Sequence, residues 1–412
     1  MEKISWEVFM KKWVFFFLCW LGMAVFFGER WIFGPMIPYL MADFHIDRVT
    51  AGSLASAQMF GYTLTPFIAG YVSDRLGRRP VILSGLLCLS TFTLLSGWTM
   101  SHHQMYLTRF ISGLTEPFFS MSLMAYFIEL FPSHPAFFTT LMISGTSVGW
   151  FAGPLLSGWC LQTSGSWRQP FWILGAAGLI LFCVLLFYWY DQKNERGPFD
   201  APSPQPPAYS KTVFAVTLII MSVIVFFDCI AEFGFSIWLP SFLKEDRGFS
   251  IAQAGTIAGM WGIGQFMGRP LLGLLGDRTG YRYVGAPAAF LMGVSLYFVV
   301  NSHTYSSFIF WQLAAGFIGG GLMGSLWTFT AVFYGKRKGA ALGLVSNFGN
   351  TGAVAAPVVG GYLAERFSLE TSLVIMALVP STLCTLLFLS SFIWVRKNVR
   401  VRYKEMTARR GD

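Results

Sequence analysis

The sequence consists almost entirely of apolar runs of membrane-spanning length, separated by short polar segments. A helix that crosses the hydrocarbon core of a bilayer needs about 20 mainly apolar residues. Twelve runs close to or above that length lie at residues 13–40, 50–72, 80–99, 105–131, 135–160, 169–191, 211–242, 251–275, 283–301, 305–334, 338–363 and 370–395. They predict an all-α membrane protein with twelve transmembrane helices and no separate soluble domain. The first run is too long for a cleaved signal peptide.

Charged residues are scarce, and this limits the possible chemistry. Asp, Glu, Lys and Arg make up 12% of the chain, against about 25% in ordinary soluble domains. The five histidines lie in polar breaks between runs, and the six cysteines lie singly within runs, without a CxxC pair. No nucleophile, base and orienting group converge in the spans. We therefore expect no enzymatic activity, no metal site and no cofactor. We expect the cysteines to serve as small packing residues.

The distribution of positive charge predicts the orientation. If the N-terminus is cytoplasmic, 21 of the 29 Lys and Arg residues fall in inner segments and five fall outside. Cytoplasmic loops of membrane proteins carry such an excess, so we expect both termini in the cytoplasm, with a bacterial inner membrane as the location. The net charge of +9 then reflects loops next to membrane lipid and indicates no nucleic-acid partner. We expect a monomer.

A proline-rich polar stretch divides the chain. Residues 191–211 contain five prolines and no apolar run, which is typical of an extended linker. The predicted organisation is an N-terminal six-helix bundle at 1–191, a cytoplasmic linker at 192–210, and a C-terminal six-helix bundle with a cytoplasmic tail at 211–412.

The two predicted bundles share an internal repeat. Eleven residues, most of them Gly, Pro or charged, recur 203 positions later. They are Gly52, Ala55, Gly61, Gly70, Asp74, Arg75, Gly77, Gly113, Gly149, Pro154 and Gly158. Parallel six-helix repeats, related by an axis along the membrane normal and with a site between them at midplane, are typical of transporters.

A loop motif between spans 2 and 3 is repeated between spans 8 and 9. Residues 70–79 read GYVSDRLGRR and residues 273–282 read GLLGDRTGYR. The glycines permit tight turns, and the Asp can cap or pair with a helix end. We expect a cytoplasmic gate formed by Gly70, Asp74, Arg75, Gly77, Arg78, Asp277 and Arg278, together with Glu129 near the inner end of span 4. This doubled pattern resembles the cytoplasmic-loop signature of the major facilitator superfamily, over the whole chain, and implies that family's fold of two six-helix halves related by pseudo-twofold symmetry.

Four charges lie within the N-terminal spans, where each ionised side chain is costly. Span 1 contains Glu29 and Arg30, and span 4 contains Arg109, Gly113 and Glu116. Residues seven apart on a helix return to almost the same face, about 10.5 Å along the axis, so the two span 4 charges share a stripe, with Gly113 expected to leave space between them. Protonating either Glu leaves one Arg uncompensated, and an organic anion is the natural replacement. The pattern thus favours coupled uptake of a proton and an anion over static salt bridges.

These residues are similar to the pattern of the anion:cation symporter branch, which includes bacterial sugar-acid and aromatic-acid carriers and the vesicular glutamate and sialic acid carriers. The resemblance implies that Glu29 and Glu116 bind protons and that Arg30 and Arg109 bind the anion or hold the carboxylates. It also implies that Tyr62 and Asn350 bind substrate. One departure is Glu29 itself, where the branch usually has Asp.

The C-terminal half offers mainly neutral groups at the corresponding positions. Candidate substrate-binding residues there are Gln265, Gln312, Asn347 and Asn350. Asp228 and Glu232 lie four residues apart in span 7, with Glu232 within one residue of the repeat position of Glu29 and Arg30. We expect either a second ion or substrate site there or a pairing near the outer gate.

Taken together, these patterns predict a secondary active transporter that imports a small organic anion, a sugar acid or another carboxylate, with protons by alternating access. The alternatives are a proton-coupled exporter, an anion exchanger, and, from a different class, a non-transporting membrane sensor. A sensor normally carries a signalling domain, and the short segment after Ser391 supplies none.

Overall fold

The structure is a computed structural model that describes residues 6–131, 135–190, 211–334 and 338–408. The predicted linker at 192–210 lies outside the described residues. Within them the chain forms fifteen α-helices and one π-helical turn, without strands. The helices are α1 (Trp6–Trp31), α2 (Phe33–Phe44), α3 (Arg48–Leu64), α4 (Pro66–Leu76), α5 (Arg78–Ser96), α6 (His102–Leu130), α7 (Pro135–Ser164), α8 (Gln169–Phe187), α9 (Lys211–Cys229), α10 (Phe235–Glu245), α11 (Ile251–Thr279), α12 (Tyr281–Val300), α13 (Tyr305–Tyr334), α14 (Lys338–Arg366) and α15 (Leu369–Ala408), and the π-helical turn is Ile230–Gly234.

Every one of the twelve predicted apolar runs is helical, and three are interrupted. The first is broken at Ile32 and the second at Thr65, where Pro66 begins α4. Proline has no N–H to continue a helix, and it is tolerated in a first turn, where that donor is not needed. The seventh run contains the π-helical turn between α9 and α10. Each of these three breaks divides one predicted span into two helical segments.

Seven helical segments of the described chain are long and apolar enough to cross a membrane. They are Met10–Phe44, Arg78–Ser96, Gln169–Phe187, Thr212–Glu245, Tyr283–Val300, Tyr305–Trp327 and Leu369–Ser391. Other predicted spans, such as α6 and α14, are 29 residues long and carry charges or many small residues. These residues lower the mean hydropathy of such helices without shortening them.

The chain forms two compact units. The first comprises Met1–Asp200, Ser236–Ile263 and Pro357–Leu369, and the second comprises Ala201–Phe235, Gly264–Ala356 and Glu370–Asp412. In the first unit α1 packs on α7, α3 on α6, and α5 on both α6 and α8. In the second unit α12 packs on α13, which also contacts α9.

The sequence repeat corresponds to repeated packing inside the units. A Cβ added to Gly61 would lie 2.8 Å from the backbone nitrogen of Leu114, where α3 meets α6. A Cβ added to Gly264 would lie 2.6 Å from the backbone nitrogen of Phe317, where α11 meets α13. Both residues of the second contact are 203 positions after those of the first. The recurring glycines therefore allow the same close approach of backbones in both repeats.

Within the first unit, four more glycines of the repeat make reciprocal close contacts. Gly52 of α3 meets the carbonyl oxygen of Pro357 in α14, and Gly255 of α11 meets that of Pro154 in α7. Likewise, a Cβ at Gly361 would lie 2.5 Å from the carbonyl oxygen of Arg48, and one at Gly158 would lie 2.7 Å from that of Ile251. The two helix crossings are thus copies of each other.

Polar contacts of Arg48 join the start of α3 to α14 and to α10. Its guanidinium Nη2 lies 2.7 Å from Glu245 Oε2, and its backbone N–H donates to Glu365 Oε1 at 2.7 Å. Just before it, the carboxylate of Asp47 caps α3 by accepting the Thr50 N–H at 2.8 Å. Hydrogen bonds from the side chain and backbone of Thr50 hold the pKa of Asp47 below its ordinary value. The start of α3 is therefore fixed by groups from several helices.

We expect Gly113→Ala to destabilise the protein. The added methyl group would collide with the backbone of Gln58, whose Cα lies 3.0 Å from the Cβ position, and overpacking of this kind typically costs about 1–3 kcal/mol. The measurement is thermal unfolding of the purified protein. Gly70→Ala is the control, because a Cβ at Gly70 meets nothing within 4 Å and alanine is the better helix former. Equal unfolding temperatures for the two variants would show that the α3–α6 contact tolerates a side chain.

Candidate functional site

The structure brings the four predicted N-terminal charges together inside the first unit. Glu29, Arg30, Arg109 and Glu116 are 1%, 9%, 1% and 0% exposed. They pair crosswise between helices: Arg109 Nη1 lies 2.6 Å from Glu29 Oε1, and Arg30 Nη2 pairs with Glu116 Oε1. Each arginine of one helix therefore neutralises the carboxylate of the other, and the ionised cluster has no net charge.

Gln58 of α3, which was not among the predicted site residues, joins the two ion pairs. Its amide Nε2 donates to Glu29 Oε2 at 2.7 Å and to Glu116 Oε2 at 3.3 Å. Gln58 is fully buried. A polar amide in the middle of an apolar run, one helical turn before Tyr62, was the available signal. We call Glu29, Arg30, Gln58, Arg109 and Glu116 the buried charge network.

Close helix packing places this network. Gly113 was expected to leave space between the charges of α6, and that interpretation was wrong. Its missing side chain instead admits the backbone of Gln58, which brings the amide within reach of both carboxylates. On the other side, Gly28 packs on α7, where its Cβ position is 3.5 Å from the carbonyl oxygen of Gly149. The small residues therefore set the distances between the charges.

Aromatic rings surround both arginines. The guanidinium carbon of Arg30 lies 4.7 Å from the ring centre of Phe27 and 5.2 Å from that of Tyr62. That of Arg109 lies 5.2 Å from the ring centre of Phe33. Such cation–π contacts stabilise a buried guanidinium. The structure thus places the predicted Tyr62 beside Arg30.

Some polar atoms of the network have no partner in the described part of the chain. These are the Nε atoms of Arg30 and Arg109 and the carbonyl Oε1 of Gln58. Buried donors and acceptors are usually satisfied. The network can therefore form hydrogen bonds beyond its internal contacts. The Nε donors of the arginines are suited to an anion, and the Oε1 acceptor of Gln58 is suited to a protonated group.

The predicted residues of the C-terminal half lie in the second unit. Glu232 lies in the π-helical turn and accepts a hydrogen bond from Gln265 Nε2 at 2.9 Å. Asp228 is 1% exposed, and its Oδ2 has no partner among the described residues. Gln312 is fully buried, and neither its Nε2 nor its Oε1 has a hydrogen-bond partner among the described residues. π-helical turns are frequent at functional sites.

The remaining two predicted residues of that half are more accessible. Asn347 is exposed and Asn350 is half-buried on α14. The structure therefore joins Glu232 to Gln265 directly.

The loop motif forms a small ion-pair cluster. Arg78 Nη1 lies 2.6 Å from Asp74 Oδ1, and Arg78 Nη2 lies 2.8 Å from Glu129 Oε1. Arg78 Nη1 also donates a hydrogen bond to Ser73 Oγ at 3.0 Å. Gly77 and Gly280 adopt φ values of +92° and +99°, which favour glycine. Close packing does not require glycine at Gly70, since a Cβ added there would meet nothing within 4 Å.

The other members of the motif lie outside this cluster. Arg75 stacks on the ring of Tyr71, 4.5 Å from its centre, and Arg278 is exposed. The side chain of Asp277 lies outside the described part of the structure.

Comparison with models of protein families shows which family the chain belongs to. The model described as Major Facilitator Superfamily matches residues 19–227 and again residues 221–409. The chain belongs to the Major Facilitator Superfamily. It is a multi-pass integral membrane protein of a transporter family, and it is not an enzyme. The predicted all-α fold, with twelve transmembrane helices in two halves, is confirmed.

Two relatives and one solved structure illustrate the similarity within this superfamily. The cis,cis-muconate transport protein of Acinetobacter baylyi is 24% identical over 380 residues, which cover 88% of this chain and 90% of that protein. The sialic acid transporter NanX of Escherichia coli is 28% identical over 388 residues, which cover 90% and 92%. The crystal structure of a bacterial homologue of the human lysosomal transporter Spinster, in an inward-facing and occupied conformation, aligns with a TM-score of 0.78 at 16% identity, covering 93% of this chain and 97% of that one.

Proposed function

We propose that this protein is a secondary active transporter that carries a small organic anion, a sugar acid or another carboxylate, together with protons by alternating access. The observation that carries the proposal is the buried charge network, in which two arginines and two glutamates balance inside an apolar bundle. A charged side chain in a membrane interior is costly and usually functional. The similarity to carriers of muconate and sialic acid, both carboxylic acids, supports the choice of substrate class.

The network provides a chemical basis for coupling. A proton on Glu116 removes the countercharge of Arg30, which then binds the carboxylate of the substrate. Arg30 is the most accessible of the four charges and lies next to the Tyr62 ring. Arg109 is buried beside Glu29. We therefore assign substrate binding to Arg30 and Tyr62 and the coupling proton to Glu116. Glu29 is then the second proton-binding residue, and Arg109 holds its carboxylate.

The C-terminal half supplies neutral contacts in this proposal. Gln265, Gln312, Asn347 and Asn350 bind substrate hydroxyl or carboxyl groups, and Asp228 with Glu232 forms a second ion or substrate site. The burial of Gln312 with two unpartnered amide atoms supports the first role. The unpartnered Oδ2 of Asp228 supports the second.

We also propose the cellular setting. The Lys and Arg distribution supports a bacterial inner-membrane location with both termini and the 192–210 linker in the cytoplasm. The Arg78 cluster then belongs to the cytoplasmic gate, with the other motif residues and Glu129. The protein acts as a monomer surrounded by lipid, with halves at 1–191 and 211–412.

The test is transport by purified protein in proteoliposomes with an imposed proton gradient. The panel contains muconate, sialic acid, a benzoate and a sugar acid. Symport predicts accumulation of one of these classes and alkalinisation of the outer solution as protons enter with the anion. Acidification outside would indicate proton exchange, as in an exporter. A strict need for anion inside would indicate an anion exchanger, and no transport of any anion would contradict the proposal.

We expect Arg30 to contribute a large part of anion affinity. The comparison uses Glu116→Gln alone and combined with Arg30→Gln, so that the double variant leaves neither partner charged. Loss of charge-assisted hydrogen bonds worth about 1.5–3 kcal/mol should weaken binding roughly 10- to 100-fold, measured by calorimetry or thermal shift. Arg168→Gln is the control for charge, since Arg168 pairs with Asp43 at 3.2 Å away from the network. Equal affinities in the single and double variants would remove Arg30 from the substrate site.

A further inference from the structure

Gln58 is the only described side chain that hydrogen-bonds to both carboxylates of the buried charge network. The contacts form one continuous chain from Arg109 through Glu29, Gln58 and Glu116 to Arg30. The backbone of Gln58 is held against Gly113, which fixes the point from which the side chain reaches both carboxylates. Gln58 therefore connects two ion pairs, Arg109–Glu29 and Arg30–Glu116, that involve different arginines.

The charged surroundings of Gln58 consist of the network itself. Glu29 and Arg30 face it from α1, Arg109 and Glu116 from α6, and Tyr62 lies one turn further on α3. Of the other helices that contact α3, α2 carries Asp43 near its end, where it pairs with Arg168, and the charges of α14 lie in its first and last turns. Helices α7 and α8, which pack on α1, contain no Asp, Glu, Lys or Arg. The charges of α4 and α5 lie at the loop motif, at the ends of those helices. The response of Gln58 to pH therefore depends on Glu29 and Glu116.

A primary amide can serve either charge state of a carboxyl group. Its NH₂ group supplies two donors, and its carbonyl oxygen supplies acceptor sites. The donors now satisfy two ionised carboxylates, while Oε1 has no partner in the described chain. When one carboxyl takes up a proton, its new O–H needs an acceptor, and rotation of the amide offers Oε1. The same rotation withdraws a donor from the other carboxylate, which favours its protonation as well.

We propose that Gln58 is a positioning residue that links the protonation of Glu29 and Glu116, so that the two carboxyls gain and lose protons as a pair. The inference rests on the proposed proton-coupled anion transport. Each step forms one O–H bond on a carboxylate and exchanges one hydrogen bond of the amide. Two interacting sites then titrate as a unit and not as separate groups.

The experiment measures the affinity of the purified full-length protein for muconate, sialic acid, a benzoate and a sugar acid as a function of pH. The slope of log Kd against pH gives the number of protons linked to binding. We expect the slope to rise from zero to about two within a narrow pH range in the natural protein, because linked groups titrate together. Gln58→Met keeps the size of the side chain and removes its polar atoms, so the slope should rise to about two only over a broader pH range, with an interval in which it is about one. Gln58→Asn, which is too short to reach both carboxylates, should behave in the same way.

The controls separate this inference from the proposed function. Gln162→Leu, at an exposed position of α7, should retain the steep slope. If the natural protein binds no anion with pH dependence, the proposed function fails. If the natural protein shows the steep slope and both Gln58 variants keep it, the linkage by Gln58 is wrong. A uniform loss of affinity at every pH, with the slope preserved, would also overturn it, since it would indicate a structural role.

Discussion

Replacing Glu116 by glutamine should abolish proton-driven accumulation of the anion while exchange of labelled for unlabelled anion continues. Glutamine has the shape of the protonated carboxyl and cannot release a proton. It leaves Arg30, the ion-pair partner of Glu116, free to bind the substrate at any pH. Accumulation against a gradient needs the proton to leave with each cycle, whereas exchange needs only the loaded carrier to reorient.

The two activities can be measured on one preparation of proteoliposomes. Uptake under an imposed pH gradient reports accumulation, and counterflow with unlabelled anion inside reports exchange. We expect accumulation to fall to the level of protein-free vesicles. Glu370→Gln, an exposed carboxyl at the start of α15, is the matched control and should keep both activities. Undiminished accumulation in Glu116→Gln would show that this carboxyl does not couple transport to protons.

Replacing Arg109 by methionine should produce the largest loss of stability among single substitutions in the network. Arg109 and Glu29 are almost completely buried, 2.6 Å apart. Removing one partner of such a pair leaves an uncompensated buried charge and typically costs 3–5 kcal/mol, a figure we expect to hold roughly here. Thermal unfolding of the purified protein measures the loss.

A second substitution distinguishes the pair from the individual side chains. In Glu29→Gln with Arg109→Met no charge is left unpaired, so most of the stability should return. The exposed Arg168–Asp43 pair provides the comparison, since Arg168→Met should cost less than about 1 kcal/mol. If Arg109→Met costs no more than Arg168→Met, the buried pair does not support the fold. Restored stability without restored transport in the double variant would separate the structural role of the pair from its function.

Hydrophobic runs predicted the helices of this protein well because bilayer thickness fixes the length of each span. The breaks at Ile32 and in the Ile230–Gly234 turn were not predicted. Runs that remain apolar across a break give no sign of it. Proline and glycine near a break mark it only in retrospect, since α6, α7 and α14 contain internal prolines and continue.

The buried charges were predicted as residues, but their partners were not. Helical spacing places Arg109 and Glu116 on one stripe of α6, and it contains no information about which α1 side chain each one meets. The crosswise pairing depends on how closely α1, α3 and α6 approach, and this is set by small residues such as Gly113. Gln58 was not predicted because it is not ionisable and because its repeat position is occupied by Trp261.

The reciprocal glycine contacts have a consequence for how this end of the first unit can open. At both crossings, a glycine on each helix lies against a backbone carbonyl of the other helix, so neither pair can slide without steric overlap or loss of contact. Arg48 adds a hydrogen bond to Glu365 at the α3–α14 crossing and an ion pair to Glu245 of α10 beside it. Partial separation would forfeit close packing and leave these polar groups without their partners, and intermediate positions are therefore the least stable. We expect this end to behave as a latch with two positions, held or released, and the time spent half-open to be short.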